Sequence, residues 1–152
     1  MNELTIINKS VTKTYEWLKD IGEYACWESS AKSLAALRVT LHQLRDNIPL
    51  ENAAHLSSQL PIFIRGLFFE NWHPACMPLK ERKESIFLDS IKEHLEIFKD
   101  IAEDIDPLTA VEAVFKTLSD KVSEGEIQKI ISILPKQIRS LWEEVEQDQA
   151  LL

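Results

Sequence analysis

The chain has 152 residues, of which 45% are hydrophobic and 28% charged, and its formal net charge is −8. That length and balance suit a single soluble domain with a true core, since a chain of this size buries about 70% of the surface it exposes when unfolded. The acidic balance excludes a chain-wide footprint for nucleic acid, which needs clustered Lys and Arg to neutralise phosphates, and no segment approaches the ~20 apolar residues of a membrane span.

Met1 to Ser10 mixes polar and apolar residues, without the basic head and long apolar run of a signal peptide, so a cytoplasmic address is expected. Trp17, Ile21, Tyr24 and Trp27 then recur at helical spacing, and Ser29 and Ser30 can cap the next helix. Its apolar stripe is Leu34, Leu37, Leu41, Leu44 and Ile48, and Pro49 marks the break after it. A short helix is expected from Leu50 to Ser58. Pro61 then makes a corner, because Pro cannot continue the helix before it but is favoured in the first turn of the next. Ile64, Leu67 and Phe68 form the apolar face of the helix that follows. Asn71 to Leu79, with Trp72, Pro74 and Pro78, is expected to be an irregular connector. The one basic run, Lys80-Glu81-Arg82-Lys83, carries its own acid and is expected to be a solvated part of that connection.

The rest of the chain repeats this plan. Leu60-Pro61-Ile62-Phe63-Ile64-Arg65-Gly66-Leu67-Phe68 is echoed by Leu134-Pro135-Lys136-Gln137-Ile138-Arg139-Ser140-Leu141-Trp142. The same offset of 74 residues (134 minus 60) carries the long stripe onto Leu108, Val111, Phe115, Leu118 and Val122, and the first one onto Ile91, Leu95, Phe98 and Ile101, without a gap. Self-similarity at a fixed period means one supersecondary unit built twice. Asp106 with Pro107 forms an N-cap and first-turn pair. Ser123 with Glu126 has capping-box spacing and opens a helix from Glu124 to Ile133, with Gly125 read as turn chemistry. The acidic tail after Val145 is expected to fray.

No run of β-branched residues with period two occurs, so the expected fold class is all-α. Two tandem helical repeats of about four helices each are expected, packed with approximate two-fold pseudosymmetry in a single domain spanning 1–152. Unit one covers about 10–72, the connector 73–82 and unit two about 83–147.

The run Leu37-Arg38-Val39-Thr40-Leu41-His42-Gln43-Leu44-Arg45-Asp46, with Ala53-Ala54-His55-Leu56, Gln59-Leu60-Pro61, Arg65-Gly66 and Trp72, resembles the domain-of-unknown-function 2267 family. The resemblance spans almost the whole chain, since that family also carries a second, weaker copy like Leu134-Pro135 to Trp142. Asn71 stands where many relatives have a Gly before the Trp. The resemblance implies a small, soluble, all-helical bacterial protein, and it implies no activity.

Arg65 and Arg139 repeat a planar guanidinium in both halves. Each could lock its helix to the preceding corner through an acid or carbonyls, or the two could face one anionic ligand. Glu70 and His73 have the Glu-x-x-His spacing of di-iron bundles, but no second such pair occurs. His73 and Cys76 lack the further ligands of a zinc site. His42, His55 and His94 fall within helical runs, where a partly exposed or satisfied imidazole is the expected role. Cys26 and Cys76 are expected to be reduced thiols. Neither a nucleophile elbow nor a phosphate-cradling loop is present. No catalytic residue, metal or cofactor is therefore assigned; enzyme activity is left open, with no motif that points to it.

Phe63, Phe68, Phe69 and Trp72 make the first half richer in aromatics than the second, where Glu143 stands opposite Phe69. The candidate binding residues are thus Arg65, Arg139, Phe69 and Trp72. The leading functional reading is a protein-interaction or scaffolding module, with a protein partner or a homodimer, and neither nucleic acid nor a membrane. The alternative is a small-molecule or anion-binding protein with a pocket between the two repeats.

Overall fold

A computed structural model describes residues 3–76, 84–98, 100 and 104–150, and these contain helices and no strand. The helices are α1 (Glu3–Ala25), α2 (Ser30–Asp46), α3 (Leu50–Ser57), α4 (Ile62–Phe68), α5 (Glu84–Leu95), α6 (Pro107–Lys121), α7 (Glu124–Ile133) and α8 (Lys136–Ala150). Single 3-10 turns add Pro74–Cys76 and Glu96–Phe98. Part of the expected connector from residue 77 onward, with Pro78 and the basic run from Lys80 to Lys83, and also Ile101, lie outside the described residues.

Local chemistry sets the boundaries. Ser29, Asp106 and Ser123 each accept a backbone N–H from three residues on, satisfying donors that the first turn of a helix leaves unpaired. Pro61 and Pro135 precede α4 and α8, and their carbonyls accept the N–H of Arg65 and Arg139 at 2.8 Å in each case. α3 and α7 begin at Leu50 and Glu124, and α4 and α8 at Ile62 and Lys136, so both pairs of starts keep the 74-residue offset.

The halves interleave around one core. α1 packs on both α2 and α6, while α5 packs on both α6 and α2. The first helix of each half therefore lies across the second helix of the other. Leu37, Leu41, Leu44 and Ile48 of the first stripe and Val111, Phe115, Leu118 and Val122 of the second are buried in a single cluster. Phe115 stacks on Trp142 with ring centroids 4.1 Å apart and planes 9° from parallel.

Two local expectations are corrected, and two helical spacings do not become helical faces. The chain beyond Val145 does not fray: α8 continues to Ala150, because Glu146 accepts a hydrogen bond from Ser119 and the Gln149 amide donates to the Tyr24 hydroxyl. Gly125 lies in the first turn of α7 rather than in a turn before it. Glu70 and His73 are not one turn apart on a helix, since α4 ends at Phe68 and Asn71 takes a left-handed backbone with φ 54°. For the same reason Trp72 does not share a helical face with Phe68. It folds back onto Phe69, with ring centroids 5.0 Å apart.

Candidate functional site

The residues that carry the family resemblance converge on the C-terminal end of α4. The last carbonyls of any helix lack intrahelical partners, and here α2 supplies them. His42 Nε2 donates to Leu67 O at 2.6 Å, and Arg45 Nη1 donates to Phe68 O at 2.8 Å and to Glu70 O at 2.7 Å. Arg38, His42 and Arg45 are spaced by four and three, which places them on one face of α2. Arg38 completes the group by gripping the Glu70 carboxylate through Nε and Nη2, both at 2.6 Å. Such a two-pronged pairing fixes orientation as well as charge. Arg45 itself is buried and neutralised by Asp46 at 2.8 Å.

Charge states follow from this geometry. Burial pushes the His42 imidazole below its ordinary 6.5, the opposing contributions of the Leu67 carbonyl and Glu70 being smaller. His42 is therefore neutral at pH 7. Because Nε2 carries the proton given to Leu67, Nδ1 is left as an acceptor. The hydrogen bonds from Arg38 hold the Glu70 carboxyl below its ordinary 4.5. At the 74-residue offset, Arg38, His42 and Arg45 correspond to Glu112, Lys116 and Ser119. The clamp belongs to the first half alone. In the second, the hydroxyl of Ser119 accepts from Trp142 Nε1 at 3.0 Å.

A cleft of about 270 Å³ opens beside the clamp. Arg38, His42, Glu70 and Asn71 line it from the first half, and His94, Ile97 and Phe98 from the second. Arg38 lies over the Phe98 ring, 5.6 Å from its centroid. His94 Nδ1 donates to Ser90 O at 2.7 Å, which leaves its Nε2 as a second acceptor. Among the described residues no group of three or more His, Cys, Asp or Glu is placed to hold a metal ion.

The four residues singled out from the sequence do not meet in this cleft. Arg65 donates to Ser57 O at 2.9 Å and Leu60 O at 3.1 Å, tying α4 back to the corner that precedes it. Arg139 is half-buried on α8, and among the described residues its guanidinium makes no hydrogen bond or ion pair. Phe69 and Trp72 are half-buried against the core, Phe69 meeting the edge of Phe68 at 5.1 Å. Trp72 Nε1 is buried without a partner among the described residues. Sequence reasoning missed Arg38, His42, Arg45 and Glu70 as a group. The steps of four and three on α2 were there to be seen, but the acceptors lie 23 to 32 residues further along the chain.

A second feature went unread in the sequence. α1 turns Thr14, Trp17, Leu18 and Ile21 into the core, yet Leu4, Ile7, Val11 and Tyr15 on the adjoining arc are 69%, 57%, 49% and 62% exposed. Their steps of three, four and four keep them within one face of a helix. Phe63 extends this face at the start of α4, where its N–H donates to Ser10 Oγ at 3.2 Å. Between α1 and Phe63 runs a groove of about 240 Å³, also bounded by Leu18 and Leu34.

Fold and site together define a small all-α domain with one shared core, and no helix among the described residues is long and apolar enough to cross a membrane. The chain matches the model of a family described as uncharacterized conserved protein, DUF2267, over residues 14–141. It belongs to that family, as the residues from Leu37 to Trp72 imply. No curated protein matches the chain.

Proposed function

We propose that the protein is a helical interaction module that receives an amphipathic helix along the outer face of α1. One observation carries this reading: a stripe of large apolar side chains, Leu4, Ile7, Val11 and Tyr15, left exposed beside a groove that ends on Phe63. Contiguous apolar surface of this kind marks a docking site, and anchors at steps of three and four are those that a helix lying in a groove engages. Phe69 and Trp72 lie at the other end of α4, packed on the core, and are not part of this face. Selection of helical peptides against the wild-type protein, with counter-selection on Val11→Glu/Phe63→Glu, is the test. Peptides with apolar residues at steps of three and four should be enriched and should lose binding to the variant. Enriched peptides that bind the folded variant equally well would place the docking site elsewhere.

A second reading is a ligand pocket between the halves, favoured by the cleft in which His42 and His94 each leave one ring nitrogen as an acceptor. Arg38, rather than Arg65 or Arg139, would be the guanidinium of such a site. A fragment screen that shifts the His94 and Phe98 resonances, and fails to do so in His94→Ala, would favour it over the first.

A further inference from the structure

We propose that the occupant of the α1 face is α1 of a second copy of this chain, in an antiparallel pair centred on Val11. The inference rests on the docking face described above and adds the identity of the partner.

Spacing and area support this occupant. The exposed residues Leu4, Ile7, Val11 and Tyr15, followed by Leu18 buried at the floor of the groove, step by three, four, four and three, so the apolar spacing reads the same from either end. An isologous two-fold contact needs such a surface, because every residue must meet its counterpart across the axis. With Val11 on the axis, Ile7 faces Tyr15 of the other copy, and Leu4 lies over the groove whose floor is Leu18. The two helices overlap over about 21 Å. The exposed parts of Leu4, Ile7, Val11, Tyr15 and Phe63 amount to roughly 600 Å² per copy, so a pair that covered them fully would bury on the order of 1,200 Å², the lower edge of a stable interface.

The direction follows from electrostatics. A parallel pair would set two helix N-termini side by side, positive end against positive end, whereas an antiparallel pair sets each against the partner's C-terminal half. The net charge of −8 on each copy opposes association at long range, and apolar contact at the stripe offsets it at short range. Added salt screens the repulsion without weakening the apolar contact, so the pair tightens as ionic strength rises.

Sedimentation velocity across the micromolar range, at low and high salt, tests the pair. Wild type should shift from monomer to dimer with concentration, more readily at high salt. Val11→Glu and Tyr15→Glu, both at exposed positions, should remain monomeric with unchanged circular dichroism. Disulfide trapping tests the geometry in a Cys26→Ser/Cys76→Ser background. Val11→Cys should crosslink to itself, because residues on the axis come within the ~6 Å between Cα atoms that a disulfide spans. Ile7→Cys should crosslink with Tyr15→Cys, both at exposed positions, and not with itself. A wild type that stays monomeric at every concentration overturns the pair, while the docking face survives if helical peptides still bind it. A dimer that persists in Val11→Glu overturns this proposal as well, and if peptides bind that variant too the docking face falls with it. Self-crosslinking of Ile7→Cys would overturn the antiparallel arrangement.

Discussion

Arg45 is 3% exposed and shares its guanidinium among Asp46 and the carbonyls of Phe68 and Glu70. Replacing it by Met keeps much of the volume but leaves a mostly buried carboxylate and two helix-end carbonyls without donors. Breaking a buried pair in this way costs about 3 to 5 kcal/mol, so Arg45→Met should lower the urea midpoint steeply. Arg65 reaches the same kind of acceptor from an exposed position, where solvent can take its place. His42 gives the molecule an acid-sensitive point. Its folded pKa lies below the unfolded 6.5, so the unfolded state binds more protons as the pH falls. Its contribution to stability is complete above about pH 6.5 and is lost as the pH falls below that value. Glu70, also depressed in the folded state, adds a further loss below about pH 4.5. Urea midpoints measured between pH 8 and pH 5 should decline. His42→Gln, which retains an N–H for Leu67, should flatten that decline.

At the scale of single elements, helix starts were legible because capping is local: Ser29, Asp106 and Ser123 each act within three residues. Even there tertiary contacts altered the detail. The capping-box carboxylate of Glu126 turns to His55 Nδ1 at 2.7 Å, while the Ser123 N–H it was spaced to accept goes to Gln59 Oε1 at 2.9 Å. Both partners come from the first half, 71 and 64 residues away. The end of α1 is also informative. Trp27 N–H donates to Gly22 O at 2.8 Å, closing the helix with a bond from the residue after a left-handed position. That position is held by Cys26 at φ 61°, where Gly is the favoured residue. Cys26→Gly should stabilise the protein by about 1 kcal/mol, read as a higher thermal midpoint. Gly22 is constrained in the opposite sense, since a Cβ there would meet the Trp27 carbonyl oxygen at 2.9 Å.

For the whole molecule, the sequence by itself determined the helical class, the family and most helix boundaries. It did so because apolar period, capping and proline act over a few residues. The doubled stripes placed Leu37 and Phe115 in the core by the same logic. Which helices cross, and what each face meets, only the tertiary structure decided. The interleaving of α1 on α6 and α5 on α2 leaves no local mark. The convergence of Arg38, His42 and Arg45 on the end of α4 joins residues that are distant along the chain. The clearest case is α1, which carries two adjoining apolar arcs. Periodicity records that a residue is apolar and where it sits on the helix. Burial depends on whether another element covers that arc, and Leu4, Ile7, Val11 and Tyr15 stay exposed beside the described elements.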